Sequence, residues 1–267
     1  MCLIVFQWQP ASDCPLYLVA NRDEFYARPT QPAHWWPGEA IWAGKDLQAG
    51  GSWLAIDQQG RWAALTNIRD GRRRAPTQAP SRGELVLQFL RSGQSPWQFA
   101  KQLQAQLAAY AGFNLLLGDR QQLCFLSSTE PEPRLLGSGL YSLSNASLNS
   151  RWPKQQRAEQ ALQQTLQQPA VVHAQLQGLL LDEQPAADEQ LPDTGVALAW
   201  ERLLSPCFIR SADYGTRSTT SLILQQQGWS ALEQTHGVAA QTEGQQYVTQ
   251  SYSHPCSPPH SPLGNIA

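Results

Sequence analysis

The sequence lacks an excess of charge of either sign: its 267 residues carry 19 Lys and Arg against 21 Asp and Glu, a formal net charge of −2. Nucleic-acid surfaces concentrate basic charge, so this balance argues against a nucleic-acid partner. No apolar run reaches the roughly 18 to 20 residues of a membrane span. The opening Met1-Cys2-Leu3-Ile4-Val5 has no basic stretch ahead of a signal-like core. The expectation is a cytoplasmic protein with no integral membrane segment. Cysteines stand at positions 2, 14, 124, 207 and 256, without metal-ligand spacing and without an even disulfide framework. That usage fits a reducing compartment, and neither a metal nor a cofactor is expected.

What the chain does have begins at position 2. Cys2-Leu3-Ile4-Val5-Phe6-Gln7-Trp8 reads as a strand that carries a cysteine into a sheet. Removal of Met1, which is usual before a small side chain, would leave thiol and α-amine on one residue. The amine, with a pKa of roughly 7.7–8.0, suits a general base near neutral pH, and the thiol, at about 8.5, needs such help to ionise. The alternative is a small apolar residue opening a buried strand. After a turn over 9–15, a second strand over 16–20 runs into Asn21-Arg22-Asp23-Glu24. So short a turn predicts a hairpin, which sets this polar quartet beside Cys2. Alternation puts Asn21 and Asp23 on one face and Arg22 and Glu24 on the other. Asp23 is then a candidate to hold the amine and thiol, and Asn21 a candidate donor to an oxyanion. The competing reading is a solvated Asn/Asp turn.

Further along, 52–57 and 61–67 flank the turn Gln58-Gln59-Gly60 as another hairpin. Ser81 and Glu84 form a capping-box pattern ahead of a helix. Ser95-Pro96 opens a second helix, in which Phe99, Leu103, Leu107 and Tyr110 recur at helical spacing. A hairpin over 113–117 and 123–127, helices over 153–166, 171–181 and 196–204, and strands over 218–224 and 229–234 follow. Helices alternating with β-rich segments predict helices outside stacked sheets. Residues 1–250 are read as one domain, and 251–267 as a disordered Ser/Pro/His tail.

Between the hairpins and the helices, Arg69, Arg72, Arg73, Arg74 and Arg82 concentrate positive charge. They read as a solvated loop or as a receptor for a carboxylate or phosphate of a substrate. Trp35, Trp36, Trp42 and Trp53 read equally as core or as the lining of an apolar cleft. Cys14-Pro15 and the tail's His254, Cys256 and His260 are short patterns of the kind that can touch haem or a transition metal, and common enough that the expected metal set stays empty.

Six blocks in order, Met1-Cys2, Asn21-Arg22-Asp23-Glu24, Gly50-Gly51-Ser52-Trp53-Leu54, Ala64-Leu65-Thr66-Asn67, Tyr141-Ser142-Leu143-Ser144-Asn145 and Tyr214-Gly215-Thr216-Arg217-Ser218, resemble the NRDE family, also called the transport-and-Golgi-organisation protein 2 family. The resemblance implies an α+β fold, the four-layer αββα sandwich of two antiparallel sheets found in N-terminal-nucleophile (Ntn) hydrolases, with first strands similar to those of cysteine amidases that cleave penicillin V and conjugated bile salts. Carried over, it makes Cys2 the nucleophile, Asp23 its positioning carboxylate, Asn145 an oxyanion-hole residue and Arg217 a late arginine near the nucleophile. It makes Asn67 an oxyanion or substrate-binding group; Asn21 and Arg22 of the quartet and Arg69 of the basic loop join it as candidate substrate-binding residues. One departure stands out: those amidases carry an arginine just before the asparagine of this segment, where this chain has Ala20, with Arg22 two residues later. The implied function is a cysteine hydrolase acting on an amide or acyl bond of a small molecule with an apolar portion. The alternative, also implied by the resemblance, is a non-catalytic carrier for haem or an acyl lipid or acyl-coenzyme A.

Overall fold

The computed structural model describes residues 2–130, 132–237 and 246–249. The expectation for the tail over 251–267, with His254, Cys256 and His260, lies outside them. The chain runs through strands β1 (Cys2–Trp8), β2 (Leu16–Phe25), β3 (Thr30–Trp35), β4 (Ile41–Asp46), β5 (Leu54–Asp57) and β6 (Trp62–Asn67) to helices α1 (Gly83–Ser92) and α2 (Pro96–Gln104). Then come β7 (Phe113–Gly118), β8 (Leu123–Ser127), β9 (Arg134–Leu135) and β10 (Gly139–Leu143), followed by α3 (Pro153–Thr165), α4 (His173–Gly178) and α5 (Leu198–Leu203). Finally β11 (Tyr214–Gln225), β12 (Gly228–Thr235) and β13 (Gln246–Thr249) complete the described elements.

Two sheets result, one ordered β10-β1-β2-β11-β12-β13 and the other β3-β4-β5-β6-β7-β8-β9, with antiparallel pairing throughout. Strand parity dictates the layers. Ile4, Phe6 and Trp8 of β1 and Leu16, Leu18 and Ala20 of β2 meet Trp42, Leu54, Ile56, Trp62 and Leu116 of the second sheet. Their odd-numbered neighbours Leu3, Val5, Tyr17 and Val19 face outward onto Ala158 and Leu162 of α3 and Leu176 of α4. On the opposite side, Ala43, Ala55, Ala63 and Leu115 pack against Leu85, Phe89 and Phe99 of α1 and α2. The order is helix, sheet, sheet, helix: an α+β αββα sandwich. Trp8, Trp42, Trp62 and Trp229 are fully buried at its centre, where truncating one to Ala costs about 3–5 kcal/mol.

Local departures from expectation have physical causes. The first helix starts at Gly83, with Arg82 as an uncapped N-cap; Glu84 is drawn away to Arg91 at 3.0 Å, so the Ser81 capping box does not form. Ser95 and Gln98 do form a reciprocal box at α2, which ends before Leu107. Strands β3 and β4 were not expected, because Pro32, Pro37, Gly38 and Gly44 interrupt any alternation; β3 lies at a sheet edge, where a proline is tolerated. Cys14 is disulfide-bonded, whereas Cys2, Cys124 and Cys207 are free. Among the described residues no helix is long and apolar enough to cross a membrane.

Candidate functional site at the start of the first strand

The β1–β2 hairpin sets Cys2 opposite Arg22. By the parity that sends Ile4 and Ala20 between the sheets, both side chains face inward, and there the sheets part around a cavity of about 560 Å³. Cys2, Arg22, Asp23, Trp53, Asn67 and Arg82 are among its lining residues, together with Glu24, Arg28, Asp46 and, from the loop after β6, Ala75, Pro76 and Gln78. That volume suits a small-molecule ligand. Of the four clustered tryptophans only Trp53 reaches it; Trp42 belongs to the inter-sheet core, Trp35 packs against that core and Trp36 lies on the far helical face.

The quartet after β2's apolar run is divided by strand alternation, as expected. Arg22 lies over the Trp53 ring at 4.3 Å, with Nη2 3.6 Å from Asp46 Oδ2. Asp46 Oδ2 is already taken by Arg28 Nε at 2.7 Å. Asp23 is buried and accepts from Thr216 Oγ1 at 2.7 Å. Burial pushes its carboxyl above the usual range, and the charge of Lys154 is the largest influence pulling it back. Lys154 is itself buried in the first turn of α3, donating Nζ to Leu204 O at 3.0 Å; burial lowers its pKa and Asp23 raises it. Burial likewise pushes the Cys2 thiol up, opposed by the chain's amino group and by Arg22.

Asn21 faces the helical layer. Its Nδ2 donates to Leu180 O and Cys207 O, both at 2.9 Å, and its Oδ1 accepts from Thr219 Oγ1 at 2.6 Å; it does not line the cavity. Asn145 stands one step behind the cavity: its Nδ2 donates to Asn67 O at 2.8 Å, and Ser144 beside it donates to Cys2 O at 3.0 Å. Arg217, at the bulge of β11, donates Nη1 to the carbonyls of Phe25, Tyr26 and Arg28 and so fixes the end of β2 from outside. Arg69 is drawn off to Glu201 Oε2 at 2.8 Å and Thr194 Oγ1 at 2.9 Å. Of the loop arginines, Arg72 pairs with Asp193 and Arg73 with Asp70, and Arg74 is exposed. Arg82 alone of that cluster lines the cavity.

Sequence reasoning missed Lys154, Asp46, Arg28 and Thr216. A lysine in a Gln-rich helix reads as solvated; the one available signal was Trp152-Pro153, which starts the helix at the lysine's own turn. Arg28 and Asp46 meet only because β3 and β4 form.

The family model for Transport and Golgi organisation 2 matches residues 1–236. A Mus musculus protein described as a Transport and Golgi organization 2 homolog is 33% identical over 250 residues, spanning 85% of this chain and 90% of that protein. A Homo sapiens homolog is 32% identical over the same shares. Among solved structures, a Caenorhabditis elegans N-acylethanolamine-hydrolyzing acid amidase ortholog overlays with a TM-score of 0.42 at 9% identity, covering 82% of this chain and 92% of that one; so distant an overlay carries no argument about the site.

Proposed function

Given that the chain belongs to the Transport and Golgi organisation 2 family, we propose that it is an N-terminal-nucleophile cysteine hydrolase that cleaves an amide or acyl bond of a small molecule with an apolar portion. The observation that carries this reading is that Cys2 opens onto a ligand-sized cavity with a buried carboxylate, Asp23, beside it. Once Met1 is removed, the α-amine of Cys2 takes the thiol proton and the sulfur attacks the carbonyl carbon. The tetrahedral oxyanion collapses to a thioester as the protonated leaving group departs; water then hydrolyses the thioester, releasing the acid and restoring the thiol. Asp23 holds the ammonium form. Asn67 serves the oxyanion, Asn145 positions Asn67, and Arg217 keeps β2's end in register. Trp53 and Leu65 offer the apolar portion a surface. A cytoplasmic location belongs to the same reading and is tested by fractionation.

The test is a panel of acyl amides and thioesters with intact-mass measurement of the chain. Turnover that requires a chain beginning at Cys2, and that falls about 10²–10⁴-fold in Cys2→Ala, supports the hydrolase; no turnover from a processed, folded chain removes it. One observation favours the second reading, a carrier of haem or an acyl compound: burial disfavours the Cys2 thiolate. A carrier's Cys2→Ala variant would bind its ligand with near-native affinity.

A further inference from the structure

We propose that the cavity beside Cys2 contains an anion subsite built by Arg22, Arg82 and the N-terminal end of α1, so that the molecule it takes carries a carboxylate or a phosphate-like group next to the bond presented to the thiol. The proposal deepens the reading of this cavity as the ligand site and does not depend on Cys2 being catalytic.

Arg22 carries the argument. Its side chain is only 6% exposed, it lines the cavity, and its Nη1 is buried without a hydrogen-bond partner. A buried, charged donor left unpaired is costly, and in a native structure it calls for an explanation. The carboxylates around it do not supply one. Asp46 holds Arg28 through Oδ2 and accepts from the backbone N–H groups of Gln48 and Ala49 through Oδ1; at 3.6 Å its contact with Arg22 Nη2 is too long for a hydrogen bond. Glu24 accepts from Phe25 N and leans towards Arg28 at 3.9 Å. Glu233, buried nearby, accepts from Ala33 N and Thr220 Oγ1. Asp23 accepts from Thr216 Oγ1 and feels the charge of Lys154.

Two further donors converge on the same space. Arg82 gives Nη1 to Gly112 O at 2.9 Å and has no ion pair within 4 Å among the described residues, while it feels the charges of Arg28, Glu24 and Cys2. It is also the N-cap of α1, a ten-residue helix that no side chain caps. The N–H groups of Glu84 and Leu85 already bond to Ser81 O and Arg82 O, so what the helix start adds for an anion is chiefly its dipole. The helix's one first-turn acid, Glu84, is turned away to Arg91. Gly51 holds the helix start against the cavity wall: a Cβ there would collide with the backbone of Gly83. Two guanidinium forks and a helix start, with the neighbouring acids engaged elsewhere, are the recognition chemistry of a planar or tetrahedral oxyanion.

The test uses the full chain carrying Cys2→Ser, so that binding is read without turnover. Three probes share one acyl chain: N-hexanoylglycine, its neutral counterpart N-hexanoylglycinamide, and N-hexanoylaminomethylphosphonate. Calorimetry is expected to show one or both anions binding about 10- to 100-fold more tightly than the neutral amide, the size of a charge-assisted contact. Arg82→Gln should erase most of that preference, and Arg22→Gln the rest. Whichever anion binds better names the group. Equal binding of the neutral amide, no binding of either anion at millimolar concentration, or an anion preference undiminished in Arg82→Gln would overturn the subsite. If Arg22→Gln fails to fold, Arg82→Gln decides alone. Anion preference without turnover in the wild-type chain keeps the subsite and removes the hydrolase reading; turnover without anion preference does the reverse.

Discussion

Cys2 and Arg22 stand directly opposite one another on β1 and β2, and both face the space between the sheets. The pairing gives the thiol a cationic neighbour on an adjacent strand, fixed by backbone hydrogen bonds. Position 20, two residues earlier on the same strand, has a different environment. The side chain at 20 has the same facing but sits two residues deeper, in the apolar core at 5% exposure, where a guanidinium would be stranded. Arg22 shares that facing and lines the cavity.

Burial holds the Cys2 thiol above its ordinary pKa, and Arg22 pulls it down. The alkylation rate of Cys2 by iodoacetamide should therefore be slow at neutral pH and climb with a midpoint above about 8.5, the free-thiol value. Arg22→Gln should move that midpoint higher still. Cys124 and Cys207, pushed up to about 12 and about 11 by burial within the packed layers, should lag behind Cys2, which alone opens on the cavity. A midpoint below the free-thiol value would show that this environment activates the thiol.

Trp53 is the platform for Arg22, and its indole lies where a Cβ on Gly44 would stand. Gly44→Ala should displace the ring and loosen Arg22 without touching the cavity's polar groups. A cation–π contact at a desolvated site is worth about 2 kcal/mol, so binding of N-hexanoylglycine to the Cys2→Ser chain should weaken roughly 10- to 30-fold, while the neutral amide loses less. Equal losses for both probes would mean that the alanine deforms the cavity as a whole.

His173 is wedged between Ser221 Oγ and Ser230 Oγ, each 2.8 Å from a ring nitrogen, and burial pushes its pKa down to about 4. Above the unfolded value of about 6.5 both states are neutral and no pH dependence arises from it. As pH falls below that value the unfolded chain takes up a proton that the folded chain refuses until about pH 4, so stability declines across that window, by at most about 3 kcal/mol. His173→Gln should cost about 1 kcal/mol at pH 7 through weaker hydrogen bonds and give a visibly flatter Tm profile between pH 6.5 and 4. Parallel profiles would show that this imidazole does not contribute.

The order of elements and the facing of the first hairpin were legible because they rest on period-two alternation in β1 and β2 and on turns as short as 58–60. Cys2, Arg22, Asp23 and Asn67 could be nominated from the ends of apolar strands, and all four line the cavity. Asn21 could not be separated from them, because its partners, the carbonyls of Leu180 and Cys207 and the hydroxyl of Thr219, lie more than 150 residues away in sequence. Arg69 is likewise placed by a distant partner, Glu201, 132 residues along the chain. Pairings of that range leave no local trace in composition or spacing.

Lys154 and Asp23 are both buried, and the charge of each acts on the other. Burial raises the carboxyl of Asp23, and the lysine's charge is the strongest influence holding it down. Replacing the lysine by methionine fills similar space but removes that influence, so the folded-state pKa of Asp23 climbs further above its unfolded value of about 3.9. A folded state that holds its proton more tightly than the unfolded chain loses stability as pH rises from the unfolded value towards the folded one. Lys154→Met should thus melt near the wild-type temperature at about pH 4 and progressively below it towards pH 7, with a deficit bounded by the about 3–5 kcal/mol of a broken buried pair. Asp23→Asn added to Lys154→Met should abolish that pH dependence and recover much of the loss at pH 7, because an amide carries no charge to leave uncompensated. Tm measured across this range for the wild type, both single variants and the double variant closes the cycle. A Lys154→Met deficit that is the same at pH 4 and pH 7 would assign Lys154 to packing alone and remove it from the control of Asp23.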